Sequence, residues 1–279
     1  MQDPKNREKV PFEDLEPGDS LGEYRYELTP ELVDRHERAT DQAPCVEGRY
    51  APVSLLAADG VNLAEQSWDI SSSVHAAQSL TIFARPRLGD TLLVSGVVAE
   101  KFVRKGRRYV VSETRTLDAA GGEVARGRTT GVLVYSEGEA EGEGERAADP
   151  APVSSGEGET LGPLVREMTT EKMRLYEPPG DVSLHTDDSI ARQVGLPAAI
   201  ATGTLFVAYV FDLLQQSYGP EAMLGTEVDL RLRLPVFAGE RLETRAERVG
   251  GEARRWFHAV RVTSPNGDAI RGSATVPKR

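Results

Sequence analysis

The sequence predicts an α+β fold with two similar lobes, each an antiparallel sheet around one buried helix. Three observations predict it. The chain of 279 residues is long enough for two domains. A charged segment without apolar anchors divides it near the middle, and three short motifs recur in the same order on the two sides. Its 39% hydrophobic and 28% charged residues are usual for a globular protein.

The dividing segment is "SEGEAEGEGERAADPAPVSSGEGET", residues 136–160. Low hydrophobicity and self-repelling charge predict a solvated linker. We therefore expect an amino-terminal lobe at 1–135 and a carboxy-terminal lobe at 161–279. An acidic interaction tail is the alternative, and it is disfavoured because folded-looking sequence resumes at once with "LGPLVREMTTEKM".

The recurring motifs indicate an internal duplication. No single match would carry the argument, but the three keep their order and a nearly constant offset of roughly 145 residues. The pairs are "ELTPELVDRH" (27–36) with "EMTTEKMRLY" (167–176), "RPRLGDTLLVSG" (85–96) with "LPVFAGERLETR" (234–245), and "GGEVARG" (121–127) with "NGDAIRG" (266–272).

Strand patterns follow in each half. "EVDLRLRL" at 227–234 alternates apolar and charged residues, which is typical of a strand with one covered face. Further strand-like segments come after it, separated by the turn signals "GGEA" and "SPNGD", and so predict an antiparallel meander. The amino-terminal half repeats this pattern with "AQSLTIFAR", "TLLVSGVVAEKF", "RYVVSETRTL" and "EVARGRTTGVLVY".

A helical segment precedes each meander, at 51–65 and at 203–216. The second reads "GTLFVAYVFDLLQQ", and its apolar residues cover nearly the whole circumference. A helix that is apolar all round must be enclosed. A sheet wrapped around this helix satisfies the requirement, and two such units could join their sheets side by side.

Composition excludes several functions. The net charge of -11 opposes nucleic-acid binding. The single cysteine, Cys45, allows neither an internal disulfide nor a cysteine metal cluster, so we expect a small buried or loop thiol in a cytoplasmic protein. The amino terminus resembles no targeting signal. The most hydrophobic segment, "LFVAYVFDLL", is too short for a membrane helix. No motif supports nucleotide hydrolysis, hydride transfer or a metal site.

The candidate chemistry lies in "GDVSLHTDDSIARQVGLPAAIATGT", residues 180–204. Asp181 and His185 are close enough to hold one water molecule and exchange protons with it. The start of a following helix would keep the imidazole neutral. The amides of Gly203 and Thr204, at the start of the apolar helix, lack intrahelical acceptors and can face a carbonyl oxygen. A histidine before a helix is more often a capping residue, but this combination favours catalysis.

These residues carry a resemblance to a known family. The carboxy-terminal half resembles the MaoC-like family of (R)-specific enoyl-CoA hydratases and acyl dehydratases. The shared features are Gly180 and Asp181, then His185, then Gly203 eighteen residues further on. The resemblance implies a hot-dog fold, a curved antiparallel sheet around one long helix. It also implies reversible hydration of an enoyl thioester, with Asp181 and His185 as catalytic residues and Gly203 and Thr204 at the oxyanion.

The amino-terminal half also resembles the hot-dog units of this family, from "PFEDLEPGDSLGEYRYELTPELVDRHERAT" to "VHAAQSLTIFARPRLGDTL". The whole chain is thus expected to be a double hot-dog. This half offers Asp41 and Glu47 but no histidine near them, so it is interpreted as a non-catalytic lobe. The resemblance implies that such a lobe completes the substrate groove.

One departure from the family concerns the acid. The family places four residues between its Asp and His, with an Asn-Pro pair among them, whereas "DVSLH" has three and lacks that pair. Asp181 can still reach the site along a shifted path, or Asp187 can take over part of its work.

The group that carries the acyl chain as a thioester, here called the thioester handle, would be coenzyme A or a carrier-protein phosphopantetheine. No further cofactor is expected. Two arginine pairs are candidates for its phosphates, although a charged outer strand face explains them equally well. They are Arg231 and Arg233 on one strand and Arg254 and Arg255 near the next hairpin.

Structural roles are predicted for the other three histidines. His36 is predicted on a helix surface, and His75 is expected to be structural although it could face the ligand groove. His258 shares a strand face with Trp256 and Val260, which favours packing.

Two rival functions stay open beside the hydratase or dehydratase. In a hot-dog thioesterase, the acid would activate water against the carbonyl carbon. An inactive acyl-thioester-binding subunit is suggested by the shortened loop. Either a monomer or a homodimer is compatible with two lobes in one chain.

Overall fold

In the computed structural model, one ten-stranded sheet runs through both halves of the chain. The structure describes residues 9–44, 50–70, 73–133 and 158–278. The strand order is β1-β3-β4-β5-β2-β7-β10-β9-β8-β6, and all neighbours pair antiparallel. The strands are β1 (Ser20–Glu27), β2 (Ser73–Ile82), β3 (Thr91–Arg104), β4 (Arg107–Leu117), β5 (Glu123–Leu133), β6 (Thr160–Glu167), β7 (Glu227–Leu232), β8 (Arg241–Gly251), β9 (Arg255–Ser264) and β10 (Gly267–Pro277).

Helices pack against this sheet and at the ends of its strands. Short 3₁₀ segments lie at Phe12–Asp14, Val53–Ala58 and Pro220–Met223. The α-helices are α1 (Pro30–Thr40), α2 (Asp59–Ser67), α3 (Thr170–Tyr176), α4 (Asp188–Gln193) and α5 (Gly203–Tyr218). No helix within the described ranges combines the length and hydropathy that crossing a membrane requires.

The two halves share one topology, as the repeated motifs predict. From the outer edge to the centre, the strands run β1-β3-β4-β5-β2 in one half and β6-β8-β9-β10-β7 in the other. Strands β2 and β7 pair at the centre, with Ala77 opposite Arg231 and Thr81 opposite Glu227. The prediction that two similar units join their sheets side by side is confirmed.

Helix α5 is the enclosed helix of the carboxy-terminal lobe. Its residues from Thr204 to Leu214 are buried without interruption, including the large side chains of Tyr209 and Phe211. The same hydrophobic core contains Leu56 and Ile82 of the amino-terminal lobe. Burial of these apolar surfaces therefore holds the two lobes together.

Some boundaries differ from the sequence predictions. The helix expected at 51–65 is a 3₁₀ segment followed by α2, and the tighter winding buries five successive residues from Val53 to Ala57. Strand β7 ends at Leu232, two residues early, because Pro235 restricts the backbone that follows. Most of the predicted linker at 136–160 lies outside the described residues, which resume at 158. Cys45 and Glu47 also lie outside them.

The prediction for His36 is wrong. Its side chain is buried, with Nε2 2.8 Å from the Ser54 hydroxyl and the Tyr176 ring beside it. Burial lowers the pKa of His36 to about 3. Helix α1 looks like a surface helix in sequence, but α3 packs on the face that carries His36. His258 is buried and lies 2.7 Å from the Tyr218 hydroxyl, so its assignment to packing is confirmed.

A buried carboxylate lies at the start of α2. Asp59 accepts hydrogen bonds from Thr116 Oγ1 at 2.6 Å and from the hydroxyls of Tyr26 at 2.9 Å and Tyr24 at 3.4 Å. Burial raises the pKa of Asp59 to about 7, although the three donors oppose the shift. The protonated form is therefore favoured in the folded protein below about pH 7.

This carboxylate should make stability depend on pH. Because folding raises the pKa of Asp59 from about 4 to about 7, its stabilising effect is complete below pH 4 and is lost as the pH rises through 7. We expect the free energy of unfolding to fall by up to about 4 kcal/mol from this group, and Asp59→Asn to flatten that dependence. Urea denaturation at pH 5, 6, 7 and 8 measures it.

Asp34→Asn, at an exposed site on α1, is the matched control and should keep the wild-type slope. Equal slopes for wild type and Asp59→Asn would contradict the assignment.

Candidate active site

The candidate site lies at the amino-terminal end of α5. Thr202 is the N-cap residue, and its side chain makes no capping hydrogen bond to the helix. The first helix-type bond joins Leu205 N to Thr202 O at 3.1 Å. Across the described residues, no acceptor is found for the amides of Gly203 and Thr204, which agrees with their places in the first turn. These two amides can therefore donate to a ligand oxygen.

Gly203 is held between strands of both lobes. A Cβ at this position would lie 2.3 Å from Leu232 Cδ2 and 3.0 Å from His75 Nδ1. Leu232 ends β7 and His75 lies in β2, so the helix begins at the junction of the two lobes. Only glycine fits this close approach without moving its neighbours.

His185 is oriented by a backbone carbonyl. Its Nδ1 lies 2.9 Å from the carbonyl oxygen of Ile200, three residues before Gly203. Since a carbonyl oxygen only accepts, Nδ1 carries the hydrogen in the neutral ring and Nε2 keeps its lone pair. A second bond, from Ile200 N to Leu184 O at 3.1 Å, fixes the same loop. His185 Nε2 is thus the nitrogen that can take up a proton.

Asp181 also presents a free oxygen. Its Oδ2 is buried and has no hydrogen-bond partner among the described residues. The short loop to His185 is closed by Thr186, whose hydroxyl donates to Asp181 O at 2.9 Å and accepts from Ser183 N at 3.0 Å. The carboxylate can therefore accept a hydrogen bond from a bound molecule.

Asp187, the alternative acid, caps helix α4. It is the N-cap of α4 and accepts hydrogen bonds from Ser189 N at 2.7 Å and Ile190 N at 3.2 Å. The bonds from Ser189 and Ile190 hold the pKa of Asp187 below its usual value. A capping role explains this residue fully.

Glu177 is a residue near the site that no sequence motif predicted. This residue follows α3 and accepts a hydrogen bond from the Thr202 hydroxyl, at the start of α5. Burial raises the pKa of Glu177, the charge of His185 opposes the shift, and Asp181 adds to it. Glu177 thus lies within electrostatic reach of both predicted catalytic residues. In sequence it stands in "YEPPGD" and belongs to no motif, so no signal distinguished it.

His75 enters the site from the amino-terminal lobe. Its Nε2 lies 3.1 Å from Ala77 O and must donate, which leaves Nδ1 as an acceptor. Nδ1 is buried and unpaired in the described part of the chain, and burial lowers the pKa of His75 to about 4. This neutral ring packs beside Gly203. His75 therefore lies at the candidate site, which its expected structural role did not include.

A groove of about 920 Å³ crosses the junction of β2 and β7. Leu232, which contacts the Gly203 position, is one of its lining residues. Two carboxylates, Glu100 and Asp229, lie in it together with five cations. The cations are Lys101, Arg104, Arg128, Arg231 and Arg233. This groove is therefore locally basic on an acidic protein.

The four arginines that were predicted to bind phosphates lie in two separate places. Arg231 and Arg233 line the groove, and Arg231 is 2.6 Å from Asp229. Arg254 and Arg255 are exposed at the other end of the sheet, where Arg255 pairs with Glu227 at 2.9 Å. Glu227 and Leu232 are the two ends of β7, about 17 Å apart at the usual rise per residue. Arg254 and Arg255 thus do not lie with the other two.

Comparisons with known proteins agree with this architecture. A MaoC-like dehydratase from Phytophthora capsici has a TM-score of 0.73 at 17% identity, over 94% of this chain and 95% of that one. The peroxisomal multifunctional enzyme type 2 of Drosophila melanogaster has a TM-score of 0.73 at 18% identity, over 93% of this chain but only 48% of the enzyme. A search of curated protein sequences gives no significant match.

The class of fold follows from a third structure, a Mycobacterium tuberculosis protein described as a double hot-dog. Its TM-score is 0.68 at 14% identity, over 95% of this chain and 97% of that one. The chain has the double hot-dog fold. Residues 154–268, which include most of the carboxy-terminal lobe, match the model of the MaoC-like domain. This match supports a hydro-lyase reaction on acyl thioesters.

Gly203 provides the first test of the site. In Gly203→Ala, the flexible end of Leu232 can move, so we expect the free energy of unfolding to change by only about 1 kcal/mol. The new methyl group would displace Leu232 and His75 beside the first turn of α5 and so disturb the two unpaired amides, and turnover of an acyl thioester should fall about 100-fold. Urea denaturation and steady-state kinetics measure the two effects.

Gly250→Ala, on β8, is the matched control because a Cβ there meets nothing closer than 3.8 Å. Turnover by Gly203→Ala at the rate of this control would show that the oxyanion does not bind at α5.

Proposed function

We propose that this protein catalyses reversible hydration of an enoyl thioester, or dehydration of a 3-hydroxyacyl thioester, at one site in the carboxy-terminal lobe. The observation that supports the proposal is the hydrogen bond from His185 Nδ1 to Ile200 O, three residues before Gly203, which leaves Nε2 available. The unpartnered Asp181 oxygen and the unpaired amides of Gly203 and Thr204 are the other groups that the reaction would use.

Asp181 and His185 would act on the water molecule in different ways. Asp181, as a carboxylate, accepts a hydrogen bond from the water and orients it. His185 Nε2 takes a proton from this water as its oxygen bonds to the β carbon of the enoyl group. The proton then passes from His185 to the α carbon, so the product gains H and OH, and dehydration is the reverse.

The helix amides act on the thioester carbonyl. Negative charge develops on this oxygen while the water adds, and it is neutralised when the α carbon takes its proton. The amides of Gly203 and Thr204 would donate hydrogen bonds to it from a fixed backbone. Losing one such donor typically costs 10²- to 10³-fold in rate, so these amides would supply a large part of the catalysis.

The groove is the proposed place of the thioester handle. Leu232 belongs both to its lining and to the surroundings of Gly203, and its cations would offer partners for phosphates on a chain of net charge -11. Arg231 and Arg233 stay candidates for this role, whereas the position of Arg254 and Arg255 supports no contact with the same handle. Coenzyme A or phosphopantetheine would be part of the substrate, with no separate cofactor.

A thioesterase is the second candidate. Glu177 adds a carboxylate to the site, and an acid there could activate water against the carbonyl carbon instead of the β carbon. The helix amides would serve both reactions equally, so the products distinguish them.

A panel of enoyl-CoA and 3-hydroxyacyl-CoA substrates tests the proposal. We expect the absorbance of the conjugated enoyl group to disappear without release of thiol. His185→Ala and Asp181→Asn should lower kcat/KM by about 10²- to 10⁴-fold, because each removes a group that handles the proton or the water. Absorbance and a thiol reagent, read in parallel, measure both products.

Asp187→Asn is the matched control, since asparagine also caps helices and the residue serves α4. Release of thiol would favour the thioesterase. Binding of acyl-CoA without turnover, unchanged in His185→Ala, would favour an inactive binding subunit.

A further inference from the structure

The start of α5 differs from the starts of other helices in this chain. Thr29 and Thr169 are the N-cap residues of α1 and α3, and each hydroxyl accepts a hydrogen bond from the backbone N–H three residues on, at 3.2 Å. Asp187 caps α4 in the same way. Thr202 has the same side chain as Thr29 and Thr169, but among the described residues no amide donates to it.

The hydroxyl of Thr202 is directed at Glu177 instead. It donates to Oε1 of Glu177, which follows α3 directly. A threonine hydroxyl can donate one hydrogen bond and accept others at the same time. The missing cap therefore reflects the direction in which Glu177 holds the Thr202 oxygen, and not a lack of capacity in that oxygen.

A cap on α5 would compete with a ligand. An N-cap oxygen normally accepts from the second or third amide of its helix, which in α5 belong to Thr204 and Leu205. The proposed reaction uses the Thr204 amide to bind the thioester carbonyl. His75 Nδ1, which packs on Gly203 at the same helix end, is also a buried acceptor without a partner in the described residues. Polar groups at this helix end are thus left for a bound molecule.

We propose that Glu177 keeps α5 uncapped. It is a positioning residue that holds the Thr202 hydroxyl away from the first-turn amides, so that these amides stay available to the thioester carbonyl. This inference rests on the proposed function and deepens it. Glu177 acts through Thr202, and no bond to it forms or breaks in the reaction. A carboxyl group has an accepting oxygen whether or not it is protonated, so the arrangement does not depend on the charge of Glu177.

The arrangement sacrifices a stabilising contact, since a threonine N-cap normally stabilises its helix. Helix α5 tolerates this loss because its residues from Thr204 to Leu214 are buried in the core, and such packing supplies most of the stability of a helix in a protein. The shorter helices α3 and α4 keep their caps. An uncapped start at the best-packed helix is therefore consistent with a functional constraint.

A double-mutant cycle tests the role of Glu177. In Glu177→Ala, the Thr202 hydroxyl is free to cap α5, and kcat/KM for an enoyl-CoA should fall about five- to tenfold, the factor that one helix cap is typically worth. In a Thr202→Ala background no hydroxyl can cap the helix. There, Glu177→Ala should change kcat/KM by less than about twofold. Steady-state kinetics of the four proteins measure the difference.

Two further variants control the cycle. Glu177→Gln keeps an oxygen that accepts from Thr202 and should restore most of the turnover lost in Glu177→Ala. Glu171→Ala, at an exposed site on α3, is the matched control and should keep the wild-type kcat/KM. Urea denaturation checks that each variant is folded. A merely structural role of Glu177 would lower turnover equally with and without the Thr202 hydroxyl.

A second readout requires no turnover. Amide hydrogen exchange, followed by NMR, reports directly on the first turn of α5. In Glu177→Ala, a new cap should slow exchange of the Thr204 or Leu205 amide about five- to tenfold, and this protection should be absent when Thr202→Ala is also present. The amides of Leu32 and Lys172, which are capped in α1 and α3, serve as internal references and should not change.

The two readouts keep the proposals apart. A protein that turns over no thioester, but whose first α5 amides gain protection in Glu177→Ala only while Thr202 is present, would refute the proposed function and leave the role of Glu177 intact. Unchanged exchange of these amides in Glu177→Ala would overturn that role. Equal losses of turnover with and without the Thr202 hydroxyl would overturn it as well.

Discussion

The structure depends on the enclosure of one apolar helix. Because α5 is apolar on every face, it is stable only when the sheet and the neighbouring lobe cover it completely. That requirement fixes where the helix begins. Gly203 lies between Leu232 of β7 and His75 of β2, at the junction of the two lobes. The same burial that stabilises the fold therefore places two unpaired amides at a defined position.

The charges of the molecule are arranged around this helix end. The site holds acids, Asp181 and Glu177, beside the positive end of the α5 dipole, while the basic groove lies across the β2–β7 junction. Carboxylates near a helix start are favourable, and cations in a groove favour a phosphorylated handle. In the proposed reaction, the basic groove would attract the phosphates of the substrate, while the carboxylates would stay available for the chemistry.

Local patterns were enough to predict α5, the period-two strand β7 and the motif residues His185 and Gly203. They also predicted the joined sheets, because each half repeats the same order of elements. They failed for residues whose surroundings come from distant segments. His36 is buried only because α3 packs on α1, and Glu177 belongs to the site only because Thr202 lies beside it. Likewise, the distance of Arg254 from the groove depends on the direction of β7, not on its neighbours in sequence.

The position of His185 depends on contacts that lie carboxy-terminal to the shortened loop between Asp181 and His185. Its ring and its loop are bonded to Ile200, through Nδ1 to the carbonyl and through Leu184 O to the amide. Ile200 is itself three residues from Gly203, so the spacing of imidazole and helix amides is set from the carboxy-terminal side. On the amino-terminal side, Thr186 closes the path to Asp181. Loop length in this chain therefore bears on the position of Asp181, while the spacing between His185 and the amides of α5 depends on Ile200.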